Sequence, residues 1–451
     1  MTNPTELNAT DQGGGPMTWN AERRENGGAP RRPGRRSGAY ALIATLLVSG
    51  CDFDVSNPGP VADDVLDDPG SHTAVIGGLR RAFSDAWNEV ALETSAATRE
   101  IMASGNLNIS VDQGEGRLEP DESNGMWGST MNARWVSDDA LRRFGEVGAS
   151  ADVVAEAHLW AAFAHRLAGE NFCQAVFDGG PAEPSTVFLD RAIDHFTQAT
   201  SSSNETVRLA ALAGRATVHM TLGDWSSAAS DAGQISDGFA FGVDYSTEEP
   251  DQYNSIAFYS ANEPYRVHSV WNTPYEQYYL DTGDPRTSWD EDPDYPYGEV
   301  QRPGIGNVPW KFQLKYDELD DDVTLVSGWE MRLIEAEAIL ATTPAAWADA
   351  LAIINEVRTR NVSETTGAAL EPWTAGNAEE TWTHLRRERG IELGLEARRL
   401  NDLRRWEASG APGELHPLED AANPDTYLDP ARDLCVPIAQ NELETNPNLN
   451  P

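Results

Sequence analysis

At 451 residues with 40% hydrophobic content, the chain has apolar material for one large domain or two to three ordinary ones. Acidic residues outnumber basic ones 73 to 33, the formal net charge is −40, and the only lysines are Lys311 and Lys315. Such a surface repels phosphate backbones and anionic membrane faces, which argues against a nucleic-acid partner.

Residues 1–50 read as a leader. Six arginines between Arg23 and Arg36 precede an apolar run, AYALIATLLVS, from Ala39 to Ser49. A basic stretch followed by a short apolar one is a secretory signal. The run is too short to span a bilayer as a helix. It ends Val48-Ser49-Gly50-Cys51, small residues before a thiol, as a lipoprotein-processing site requires. Cys51 is therefore the expected lipidation site, holding the chain to a membrane by its N-terminal lipid. Residues 51–70, rich in Pro, Gly and Asp, read as a tether and extended arm. Residues 71–451 read as one domain. Its cysteines, Cys173 and Cys435, lie far apart in sequence, and spacing alone does not decide whether they pair.

From Ser71 onward the pattern is helical. Val75, Leu79, Ala82, Phe83 and Ala86 recur at three- and four-residue steps. Residues 104–125 read as a long polar loop. Further helices are expected over 126–147, 150–169, 187–200, 205–221 and 225–236. In 209–235, small residues at Ala211, Gly214 and Ala216 precede Leu222-Gly223-Asp224-Trp225, Ala228 and Ala232. Small residues let two helices approach closely and Gly223 permits the tight turn, which is the pattern of a tetratricopeptide-like hairpin. A second copy is expected over 331–360, with Pro344 at a helix start. Two hairpins about a hundred residues apart suggest repeats interrupted by an insertion.

That insertion is rich in rings. Residues 239–297 hold fourteen of the chain's thirty-eight aromatics, nine of them tyrosines. Some must pack the insertion onto the helices, yet a Tyr/Trp excess on loops also makes a stacking platform for a sugar or peptide. The expected ligand-binding rings are Trp271, Tyr275, Tyr278 and Trp289. A helical turn would set Trp271, Tyr275 and Tyr278 on one face. The 104–125 loop would add hydrogen bonds from Asn106, Asn108 and Asp112, with Trp127 beside it. The ligand face thus spans 104–125 and 239–325.

The segment RRERGIELGLEARRLNDLRRW, 386–406, carries seven arginines in twenty-one positions. Wound as one helix from Ile391, it places Trp406 at about 60°, Leu403 at about 120° and Leu400 at about 180°. Arg399, Glu392 and Glu396 fall at about 80°, 100° and 140°, inside that apolar arc. Charges there are tolerated when paired, so Glu392, Glu396 and Arg399 are expected in a buried or half-buried ion network, with Glu396 and Arg399 pairing along the helix. Four acids interrupt any continuous basic face, which excludes a DNA-reading helix.

ERGIELGLEARRLNDLRRW, 388–406, resembles the C-terminal signature of SusD/RagB-type nutrient-uptake lipoproteins, roughly ER..EL..EG.R..DL.RW. Ala397 stands where that pattern has Gly, a small-for-small change expected to matter little. Other pieces fall in the family's order: SGCDFDVSNPGP, EAHLWAAFAHRLAGENF, LGDWSSAASDA, RLIEAEAILA, Asp284-Pro285-Arg286 and VPIAQNELETNPNL. The resemblance implies a mainly α fold, a tetratricopeptide-like scaffold with irregular loop-rich insertions. It also implies an outer-membrane, surface-exposed lipoprotein without catalysis or cofactor. Such a protein captures an oligosaccharide or peptide and caps a TonB-dependent, SusC-like barrel transporter.

Two other classes fit the sequence less well. The chain has no Gly-x-Ser-x-Gly, His-Glu-x-x-His, phosphate-binding loop or Cys-x-x-Cys motif. An exported glycoside hydrolase needs only two suitably spaced carboxylates, which an acidic chain can hide. A repeat scaffold binding peptides in its groove is the third class. Asp317–Asp322, DELDDD, lacks the ligand alternation and glycine of an EF-hand loop and reads as a solvated turn.

Overall fold

The computed structural model describes residues 63–105, 107–261 and 265–449, with the backbone alone at Asn108 and Ile109. Cys51 and Asn106 lie outside the described residues. The helices, in chain order, are α1 (His72–Ala97), α2 (Asn108–Gly114), α3 (Asn124–Val147), α4 (Ala151–Asn171), α5 (Thr186–Ala199), α6 (Glu205–Thr221) and α7 (Trp225–Ala232). After the insertion come α8 (Pro274–Thr282), α9 (Gly328–Thr342), α10 (Trp347–Thr359), α11 (Ala378–Glu392), α12 (Arg399–Ser409) and α13 (Gln440–Thr445). None is long and apolar enough to cross a membrane.

Local chemistry sets the boundaries. Ser150, Asn204, Asp224, Ser327 and Asn377 cap α4, α6, α7, α9 and α11, each side chain accepting from a backbone N–H two or three residues on. Small residues then let the helices close up. A Cβ added at Gly214 of α6 would stand 2.3 Å from the Phe196 ring of α5, and one at Gly169 of α4 would stand 2.5 Å from Leu189. The α6–α7 hairpin turns at Gly223, whose φ of +77° suits glycine. The α9–α10 pair turns through a single 3-10 turn opened by Pro344. α7 packs on α9, and α10 on α11, so the fold is mainly α, as expected from the sequence.

The chain between Phe239 and Ser327 is not helical scaffold. The strands are β1 (Met102–Ala103), β2 (Gln174–Ala175), β3 (Glu183–Pro184), β4 (Ala240–Val243), β5 (His268–Ser269), β6 (Trp289–Asp290), β7 (Tyr297–Arg302), β8 (Gly306–Pro309), β9 (Phe312–Gln313) and β10 (Val323–Ser327). They form two-stranded antiparallel pairs: β1–β5, β2–β3, β4–β10, β6–β9 and β7–β8. The β4–β10 ladder closes the insertion at its base, with Val323 opposite Val243 and Ser327 opposite Ala240.

Three expectations are corrected. The 104–125 segment is not wholly loop, because 108–114 winds into α2, and Gln113 and Leu118 are buried. Trp271, Tyr275 and Tyr278 do not share one helix face: Trp271 precedes Asn272, which has a φ of +56°, and α8 starts only at Pro274 behind the Thr273 cap. Nor is 386–406 one helix. α11 stops at Glu392, α12 starts at Arg399, and the link between them passes through Leu395 and Ala397 at φ +62° and +57°. Glu100, fully buried, holds that link by accepting from Leu395 N–H at 2.9 Å.

The break re-aims every charge in the segment. Glu396 pairs with Lys315 at 2.8 Å, not with Arg399. Arg399 instead makes a two-pronged pair with Glu419, at 2.6 and 2.8 Å. Glu392 pairs with Arg286 at 2.8 Å and Arg360 at 2.5 Å. Arg398 bridges Glu170 of α4 and Glu330 of α9, and Arg389 takes both oxygens of Asp402. The expected buried network therefore exists, but it joins distant segments instead of running along one helix.

The C-terminus is strapped to α4. Cys173 and Cys435 form a disulfide, and around it Cys173 N–H donates to Val436 O at 2.9 Å and Val436 N–H to Asn171 O at 2.8 Å.

Candidate functional site

Among the described residues the exposed tyrosines are Tyr265, Tyr295 and Tyr297, which flank one arginine. Three stretches of backbone build this patch. Ser104 and Gly105 N–H both donate to Val267 O, at 2.7 and 2.9 Å, and Val300 N–H donates to Ser104 O at 2.8 Å. The approach needs glycines. A Cβ at Gly298 would lie 2.1 Å from Ser104 O, and one at Gly105 would lie 2.7 Å from Val267 Cα. Arg266 joins the pieces. Its guanidinium lies 4.9 Å from the Tyr295 ring centre and donates to Tyr297 O at 3.3 Å. Its backbone is held at φ +42°, and its Nε is buried without a partner. Strain held by surrounding structure in this way collects at functional sites. The surface extends inward through rings: Tyr265 stands 4.6 Å from Phe258 and 6.4 Å from Tyr259.

Exposed, edge-supported phenol rings around a guanidinium suit a polyhydroxylated or planar ligand. The C–H face of a sugar stacks on a ring, and hydroxyls bond to Tyr Oη and Arg N–H.

Trp271 and Trp289 are half-exposed. Trp271 faces Tyr427 at 6.5 Å. Trp289 meets the edge of Tyr279 at 5.9 Å and carries Lys311 Nζ 4.1 Å from its ring centre. Lys311 is held there by Glu276 at 2.8 Å and Glu291 at 3.2 Å.

The remaining expected site residues are placed inside. Tyr275 is buried, its hydroxyl donating to Gly390 O at 2.6 Å and standing 3.1 Å from Glu100 Oε1. Tyr278 is buried against His416, 5.2 Å away. Trp127 is buried with its ring edge-on to Phe172 at 5.0 Å. Tyr275 and Tyr278 are packing elements, and Trp127 reaches only the floor of a cleft lined also by Met131 and Trp135. Asp112 is half-buried and spent on Arg117. Reading spacing alone missed Tyr265, Arg266, Tyr295 and Tyr297. The available signal was composition: Asp-Pro-Asp-Tyr-Pro-Tyr-Gly, 292–298, has no periodicity to bury its rings.

A second cleft lies elsewhere. About 730 Å³ opens between the α6–α7 turn and α12, lined by Trp225, Leu340, Trp382, Arg404 and Arg405 among others. The acidic turn 317–322 is mostly exposed and closes on itself, Glu318 N–H donating to the Asp321 carboxylate at 2.9 Å.

Residues 244–450 match the family model described as the SusD family. Solved structures share the fold over nearly the whole described chain. A SusD superfamily protein from Bacteroides vulgatus is 16% identical, with a TM-score of 0.63, over 84% of this chain and 98% of its own. A SusD homolog from Bacteroides thetaiotaomicron is 15% identical, with a TM-score of 0.64, over 85% and 97%. This chain has the SusD fold, and its 244–450 region matches the SusD family model. A further similar structure is a SusD-like carbohydrate binding protein from Bacteroides vulgatus, 16% identical over 75% of this chain and 83% of its own, TM-score 0.55. No curated protein matches the sequence. The 388–406 signature that first suggested the family lies inside the matched region, as does the tyrosine patch from Tyr265 to Tyr297.

Proposed function

We propose that this protein is a surface-exposed outer-membrane lipoprotein, anchored through Cys51. It captures an oligosaccharide on the tyrosine patch and hands it to a TonB-dependent, SusC-like barrel transporter. One observation carries the binding half of the reading: Tyr265, Tyr295 and Tyr297 stay exposed around Arg266 while the neighbouring rings are packed away. The carbohydrate-binding description of one structural neighbour supports the ligand class. The leader and the Val48-Ser49-Gly50-Cys51 ending support the anchor. The barrel partner and the delivery step rest on the family resemblance.

A glycan array on the intact protein, followed by calorimetry with each hit, tests the capture step. Binding that fades in Tyr265→Ala and Tyr297→Ala supports it, and recovery of the glycan uncleaved separates capture from hydrolysis. A peptide-binding repeat scaffold would use the cleft beside Trp225 instead, so loss of binding in Trp225→Ala alone would favour that class. Labelled palmitate tests the anchor: unchanged labelling in Cys51→Ala removes it. Co-purification of a barrel protein from solubilised outer membranes tests the partner.

A further inference from the structure

Three helices bring together groups that the capture of a sugar does not use. Asp138 of α3, His165 of α4 and His195 of α5 each offer one ligand atom, and these atoms lie within 4.8 Å of one another. Among the described residues this is the one grouping of at least three histidine, cysteine or acidic side chains so arranged. The chain has eight histidines, and a third one, His158, one heptad before His165 on the same face of α4, stands beside the cluster through His195.

The groups around the cluster orient its ligand atoms. His165 is 1% exposed, its Nδ1 has no partner, and its Nε2 stands 4.0 Å from Asp138 Oδ1, beyond hydrogen-bond range. A buried imidazole normally bonds through at least one nitrogen. His158 Nδ1 meets His195 Nδ1 at 2.9 Å, which fixes the His195 ring and leaves its other nitrogen free. Arg134 holds Asp138 Oδ2 at 3.0 Å, leaving Oδ1 towards the imidazoles. Oriented ligands of this kind are how outer partners set up a metal site.

We propose that Asp138, His165 and His195 bind a divalent cation of the zinc class, with solvent in the open position. Two imidazoles and one carboxylate are a borderline-soft donor set, which suits Zn²⁺ over Mg²⁺ or Ca²⁺. Tetrahedral ligands around zinc sit about 3.4 Å apart, so the donors close by about 1 Å through side-chain rotation. Asp138 and His195 are partly exposed, which gives the ion an entry path.

The test uses the purified full protein, stripped with a chelator and titrated with Zn²⁺ by calorimetry. A single equivalent should bind, with no matching event for Mg²⁺. Asp138→Asn and His195→Gln should each weaken it by tenfold or more, while melting like the unaltered protein before zinc is added. Zinc-edge X-ray absorption on the unaltered protein reads the shell without any variant. Imidazole scattering supports the site. An all-oxygen shell, or undiminished binding in the double variant, assigns zinc to the acidic surface and overturns the proposal, as does the absence of binding.

Discussion

The arginine segment and the aromatic insertion reverse what composition suggests. Residues 386–406 are dense in charge, and none of that charge is exposed; residues 239–297 are dense in rings, and several rings stay out. What decides is whether partners exist. Arg398, Arg399, Arg389 and Arg405 each meet carboxylates in fixed geometry, so burial strips water from groups that are already matched. Tyr265, Tyr295 and Tyr297 sit on loops bent by Pro296 and by glycines that meet backbone, and no further layer packs over them. The first region is a lock, the second a surface held open by backbone contacts.

Breaking the lock has the largest effect. Arg399→Ala strands Glu419, 4% exposed, with an unmatched charge, and should cost about 3–5 kcal/mol in a thermal or denaturant melt. Glycan binding should survive in the fraction that remains folded. The informative cycle is with Glu419→Ala. A cycle with Glu396→Ala should show little coupling, because Glu396 belongs to Lys315.

A buried charge without a partner shows the converse. Burial, and then the carboxylates of Glu89 and Glu122, push Glu93 on α1 up to about 9 from an ordinary 4.5. Its Oε2 is buried and unbonded. The folded state therefore keeps a proton that the unfolded chain gives up. Stability is full below about pH 4.5 and falls as pH rises towards 9, by at most about 1.4 kcal/mol per unit. Glu93→Gln should flatten that slope; denaturant midpoints from pH 5 to 9 measure it, and an unchanged slope would place the proton elsewhere.

Within the insertion, two kinds of tyrosine should separate. Tyr275→Phe removes a buried hydroxyl from Gly390 O and should lower stability by about 1–2 kcal/mol without touching binding. Tyr265→Ala and Tyr297→Ala should each weaken an identified glycan by about 1 kcal/mol, roughly fivefold, with melting unchanged. If Tyr275→Phe weakens binding and Tyr297→Ala lowers the melting point, the surface has been assigned to the wrong rings.

How much of this was legible in the sequence follows from where information is local. The helix positions and the Gly223 turn came from periodicity and small residues, which act within a few positions. The burial of the 386–406 charges was legible in the close mixing of unlike charges with apolar residues, although the segment is not one helix. Their partners were not, since Glu419, Lys315 and Glu170 come from other parts of the chain. The ring-rich region was visible in composition. Which rings stay exposed depends on the Gly298–Ser104 and Gly105–Val267 approaches, contacts between segments over 160 residues apart that no local pattern encodes. The disulfide was open for the same reason, since it joins positions 262 apart.

The smallest effect bears on the break between α11 and α12. Ala397 stands where the family signature has glycine, and its φ is +57°. A small side chain is therefore not what the position asks for; it asks for a left-handed backbone, which costs an L-residue about 1 kcal/mol and glycine almost nothing. The break is nonetheless kept, because Glu100 grips Leu395 N–H, and Gly394 leaves room for Tyr275, whose hydroxyl would lie 2.5 Å from an added Cβ. Ala397→Gly should relieve the strain and raise stability by about 0.5–1 kcal/mol, less whatever the freer unfolded chain takes back. Gly394→Ala, in contrast, should destabilise by forcing Tyr275 out of its place. If Ala397→Gly destabilises, the methyl is contributing packing inside the buried cluster that outweighs the strain. The lock would then rest on shape at this point as well as on charge.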